Sequence, residues 1–166
     1  MSSLSAEIRE WNTPLLGAYL LWRFTQGYES IGERKSPEFL FHFVVLPILE
    51  SPELSQPIRG RRDSFASYVK SFATDGKLDV LAKLNNRVID FRETTIQALE
   101  IGFATRLFEW KDDMSRLHAL MSDDDLVSQF LAEPIIKLGS KAFRFGTWTS
   151  SIPLSVFSSF LGVELT

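Results

Sequence analysis

The chain has 166 residues and a formal net charge of −3, with 45% apolar and 23% charged residues. That balance is globular rather than disordered, and it leaves no global positive field to hold nucleic acid non-specifically. There is no cysteine, and His42 and His118 are the two histidines, which removes disulfide frameworks, thiolate zinc sites, cysteine nucleophiles and histidine-rich metal centres.

A chain of this length buries roughly 70% of its unfolded surface, so it is expected to fold as one helical domain, 1–166, without a staple. Residues 1–10 are polar and lack the cationic start and apolar stretch of a signal peptide. The apolar runs 14–22 and 39–49 fall short of the ~20 residues of a membrane span. The chain is therefore read as cytoplasmic, with no membrane partner.

Thr13-Pro14 supplies a start signal for the first helix, over residues 14–28. That helix is apolar almost all round, which places it centrally. Gly27 and Gly32 are read as brackets of a polar loop. Ser36-Pro37-Glu38 repeats the start signal, and a second helix is expected over 37–50. Pro47 should kink it or end it early. Phe65, Tyr68, Val69 and Phe72 share one helical face.

Asp75-Gly76 then breaks the chain. Residues 77–105 carry a stripe of Leu78, Leu81, Leu84, Val88 and Phe91, continued by Ile96, Leu99 and Phe103. A boundary is expected near 91–94, where Thr94-Thr95 weakens helix propensity. Two short runs, 107–110 and 116–120, flank a polar turn and read as a β-hairpin. A helix delivering into a hairpin is the ending of a winged helix, so the portion of about 64–121 is read as winged-helix-like. Asp123 to Asp125 open another helix against its dipole. Helices over 134–150 and 154–161 follow, and the tail 162–166 is read as one extended strand. The fold class is thus mainly α: a compact multi-helix domain with a small β-hairpin. Leu16, Tyr19, Leu20, Phe41, Val44, Leu84, Val88 and Leu99 are the expected core.

Chemistry is harder to find. No phosphate loop, dinucleotide fingerprint or Gly-x-Ser-x-Gly elbow occurs. Asp112-Asp113 and Asp123 to Asp125 lie where solvated charge is ordinary, without the split environments of a carboxylate pair. No catalytic residue, cofactor or metal is expected. His42, among Phe39, Leu40, Phe41, Phe43 and Val44, reads as a buried structural imidazole, and His118 as an exposed one. Two basic groups stand out. Arg59, Arg61 and Arg62 surround Gly60, and Lys137, Lys141 and Arg144 form an i, i+4, i+7 stripe opposite Leu138, Ala142 and Phe145. Both are candidate partner-binding surfaces, since guanidinium and ammonium groups meet carboxylates or phosphates.

The segment Glu10-Trp11-Asn12-Thr13-Pro14-Leu15-Leu16-Gly17, running on to Phe24, resembles the opening of the middle-component proteins of bacterial three-component ABC systems. Those begin with an Asn-x-Pro-x-Leu-Gly-like segment leading into an apolar helix. The chain is similar to them again at 59–62, over 78–105, at the helix-to-hairpin passage 105–110, and in the late helical pair 141–148 and 154–161. The resemblance implies a non-enzymatic adaptor that couples an ABC ATPase to a partner or effector protein in a bacterial antiviral defence system. It implies as partners that ATPase and a third component encoded nearby, with DNA association indirect, through the ATPase. The alternative is a winged-helix DNA-binding protein or transcription regulator. The acidic balance opposes it, because DNA readers carry a basic excess.

Overall fold

The computed structural model describes residues 14–31, 35–59, 64–120 and 131–165. Thr13, Gly32, Arg61, Arg62 and the helix start at Asp123 to Asp125 lie outside them. The first helix, α1 (Pro14–Glu29), is the axis of the molecule. It is apolar on nearly every side, so it must be enclosed. The long helix α8 (Glu133–Thr149) packs along one side, and α7 (Arg92–Ala104) along another.

Glycine sets how closely these helices approach. A Cβ on Gly27 would lie 1.9 Å from the carbonyl oxygen of Phe143, and one on Gly146 would lie 2.2 Å from that of Phe24. The two backbones of α1 and α8 therefore touch each other through their glycines. Gly27 thus belongs to the helix interior rather than to a loop bracket. Gly17 makes the same kind of approach to α7, its missing Cβ 2.9 Å from Ala98 Cβ.

Between α1 and α7 the chain builds a lower layer. A 3₁₀ turn (Phe39–Phe41) leads into α2 (His42–Leu49), so the helix expected from Pro37 begins later and as two pieces. It ends two residues after Pro47, whose missing N–H cannot continue the ladder. α3 (Pro52–Ser55) is capped by Ser51, whose hydroxyl accepts from Leu54 N. α4 (Phe65–Thr74) buries Phe65, Tyr68 and Phe72, as their spacing predicts.

The 77–105 stretch is three helices, α5 (Leu78–Ala82), α6 (Leu84–Asp90) and α7. The boundary at Phe91 is the one expected, and the break at Lys83 is additional. The inward face of α7 is Thr95, Ala98, Leu99 and Gly102, so the predicted stripe of large residues is corrected: Ile96 is 42% exposed, Phe103 is half-buried, and Leu78 is 57% exposed. The close approach to α1 admits only small side chains in the middle of the contact. Thr95 is taken in although its buried hydroxyl finds no partner among the described residues.

After α7, β1 (Phe108–Lys111) and β2 (Arg116–Ala119) pair antiparallel, with Phe108 opposite Ala119 and Trp110 opposite Leu117. The turn holds Asp112, Asp113 and Met114 in the left-handed region, which Asp tolerates better than most residues. The outer edge of β2 is used as well: Leu117 N donates to Pro37 O and Phe39 N to Ser115 O. Phe108 and Leu117 are buried and plug the hairpin into the core.

α9 (Leu154–Leu161) ends at Gly162, which takes a left-handed φ of 65°. Among the described residues, 162–165 form no strand, contrary to expectation; Glu164 N instead donates to Asn85 Oδ1 on α6. The result is mainly α with a small antiparallel hairpin. Of the expected core, Leu16, Leu20, Phe41, Val44, Leu84, Val88 and Leu99 are buried. Tyr19 is half-buried, its ring set against Gly139 and Trp22. Phe24, Phe65, Phe145 and Phe157 fill the centre.

Candidate partner-binding surface

Arg59 and Lys141, one member of each basic group, come near each other in space. Lys141 is half-buried on α8, at the border of the face formed by Leu138, Ala142 and Phe145 and within one turn of Leu138 and Phe145. Its Nζ donates at 2.9 Å to Ser55 O, 86 residues away, a carbonyl that also accepts from Ile58 N. Carbonyls at a helix C-terminus carry partial negative charge and attract such a cation. Lys141 thereby ties the end of α3, and the loop that leaves it, to α8. Arg59 on that loop is exposed. Burial first, and then the Arg59 charge, lower the pKa of the Lys141 ammonium. Two cations thus lie side by side, and neither has a carboxylate partner among the described residues.

The other candidates divide. Lys137 pairs with Glu133 one turn away at 3.7 Å, both well exposed, an arrangement that contributes little. Arg144 is half-buried, with no ion pair among the described residues. Arg61 and Arg62 lie outside those residues.

The histidines do structural work. His42 is fully buried, and its Nδ1 lies 3.1 Å from Phe39 O. A carbonyl can only accept, so Nδ1 carries the proton of the neutral ring; Nε2 lies 2.8 Å from Thr25 Oγ1, whose single proton is shared between Nε2 and Leu21 O, also at 2.8 Å. Burial drives the His42 pKa down to about 4, against the opposing hydrogen bonds to backbone. His118 is half-buried rather than free: its Nδ1 donates to Glu29 Oε2 at 2.6 Å.

Glu29 was not legible as a key residue. Its carboxylate also accepts from Ala119 N at 2.9 Å and Ser36 Oγ at 3.0 Å, and so binds the end of α1 to β2. Only the proximity of 29 to 118 in the fold reveals it; its one sequence signal is an acid at a helix end, where the dipole disfavours it. Among the described residues no three His, Asp or Glu side chains gather as metal ligands would.

These features define a small helical protein whose polar side chains tie elements together and in which Arg59 and Lys141 lie near each other. The chain matches the family profile of the ABC-three component (ABC-3C) system Middle Component 3 over residues 1–165. It belongs to that family and is therefore a middle component of a three-component ABC system. No curated protein and no solved structure was found to match it.

Proposed function

We propose that this middle component is a non-enzymatic adaptor that couples the ABC ATPase of its system to a partner or effector protein in bacterial defence. Family membership supports the setting. The observation that carries the adaptor reading is the convergence of Arg59 and Lys141, two neighbouring cations without a described counter-charge. Like charges held together raise the free energy of the isolated chain, and an acidic partner surface relieves it. Arg144 and Lys137, each one turn from Lys141 on α8, belong to the candidate set, as do Arg61 and Arg62, which lie outside the described residues. Guanidinium groups are suited to it because each can bind a carboxylate bidentately. The chain works in the cytoplasm as one domain, and meets DNA through the ATPase. Among the described residues no helix is long and apolar enough to cross a membrane.

The test is co-purification of the three components from their shared operon. Reversing charge at Arg59, Arg61 and Arg62 should leave the fold intact and weaken capture of one partner more than tenfold, about 1.4 kcal/mol. Unchanged capture with a slightly lower melting temperature would assign these arginines to intramolecular pairing and refute the reading.

A further inference from the structure

The flank of α6 and α7, beside the face turned to α1, carries several large apolar residues. Ile89 is 53% exposed and Ile96 42% exposed. Phe103 is half-buried, and its ring stacks on Trp110 of β1 at 4.9 Å and 23°, with Trp110 itself 39% exposed. Ile96 and Phe103 are two helical turns apart on α7, so they share one face. Ile89 precedes them on α6, and the two helices meet at Phe91, where Phe91 N donates to Arg87 O and Thr95 N to Phe91 O. Residues 89–103 reach at most about 21 Å at 1.5 Å per residue, about four turns of a second helix.

The charges beside the stripe say what fits it. Glu93 lies one turn beyond Ile89, and Glu100 one turn beyond Ile96. Both are exposed and have no cationic partner among the described residues. Arg92 stands alone on the opposite border, also exposed. The stripe thus has one acidic edge of two matched positions.

We propose that this face docks an amphipathic helix of another component of the system, about four turns long. Its apolar stripe would lie over Ile89, Ile96, Phe103 and Trp110, and its lysines or arginines against Glu93 and Glu100. Interhelical pairing of this kind uses apolar seams for affinity and flanking charges for partner choice. The face is separate from the cationic one and opposite in sign. It stands on its own observations, and the two surfaces would receive different partners.

The experiment purifies the full chain with the other two components of its system, expressed together. Ile96→Asp and the double reversal Glu93→Lys with Glu100→Lys should each reduce recovery of one component at least tenfold. Arg59→Glu should leave that component bound. Because these side chains are exposed, circular dichroism and melting temperature of each variant should match the parent chain. In the wild-type assembly, amide exchange over 89–103 should slow relative to the isolated chain. Unchanged recovery in the Ile96 variant, or unchanged exchange, overturns the proposal. So does a dimer of the chain alone that Ile96→Asp dissociates, since the occupant is then a second copy. If only Ile96→Asp acts, the basic edge of the occupant is wrong. Loss of a component in Arg59→Glu alone would leave the cationic surface standing and this one refuted. Failure of the wild-type chain to recover either component refutes both.

Discussion

Gly27→Ala isolates the contact on which the architecture depends. In a solvent-exposed helix the change would stabilise, because alanine is favoured over glycine by about 1 kcal/mol. Here the new methyl would meet Phe143 O at 1.9 Å, Phe143 C at 2.7 Å and Phe143 Cα at 2.9 Å. All three are backbone atoms of a helix, so no side chain can swing aside. Restoring ordinary van der Waals contact requires α1 and α8 to part by roughly 1.5 Å. Parting them loosens Phe24 against Phe145 and opens the packing around Tyr28, both buried. Overpacking costs about 1–3 kcal/mol and sometimes more. After the helix-propensity gain, a net loss of about 2 kcal/mol is expected, with the contact's rigidity placing it toward the upper part of that range. For a chain of this size that lowers the melting temperature by about 4–8 °C, read by thermal circular dichroism and confirmed by urea titration. Gly146→Ala should behave alike, with its methyl 2.2 Å from Phe24 O. The double variant should cost less than the two single losses added, since helices already parted accommodate both methyls. A Gly27→Ala chain as stable as the parent, or more so, would mean that the backbones do not touch and that α1 is misplaced against α8.

Two further outcomes follow from the buried polar groups. His42 binds its proton less readily folded, at about 4, than unfolded, at about 6.5. Stability should therefore be complete above pH 6.5 and fall as the pH drops toward 4, by about 2 kcal/mol at pH 5; His42→Gln in urea titrations across this window should flatten the slope, and an unchanged slope would refute the burial argument. Glu29→Ala leaves Ala119 N, Ser36 Oγ and His118 Nδ1 without their shared acceptor, a loss of about 1–3 kcal/mol. Amide exchange in β2 should accelerate more than in α8; equal acceleration everywhere would show that the carboxylate has no special hold on the hairpin.

Local chemistry decided much of this protein before any tertiary contact. Pro14 sets where one helix begins, and Asp75-Gly76 ends another, because each acts within a few residues of itself. The hairpin was legible for the same reason: a polar turn between two short runs needs only its own neighbours to form. The resemblance at residues 10–24 pointed to the family that the whole chain proved to match. Periodicity found the buried faces of α4 and α8, where large apolar residues do the burying.

It failed on most of α7, where Thr95, Ala98 and Gly102 are buried beside the expected Leu99. A hydrophobic pattern measures side-chain size and greasiness, and a close helix crossing selects for their absence. The same blindness hid Gly27, whose role exists only because Phe143 lies against it. The cationic surface was visible as two separate groups, each with a bland reading as solvated charge. Only the fold put Lys141 on Ser55 and beside Arg59. Charge is a property of residues, but a counter-charge left missing is a property of their arrangement, which chain entropy keeps apart until α3 and α8 close on each other.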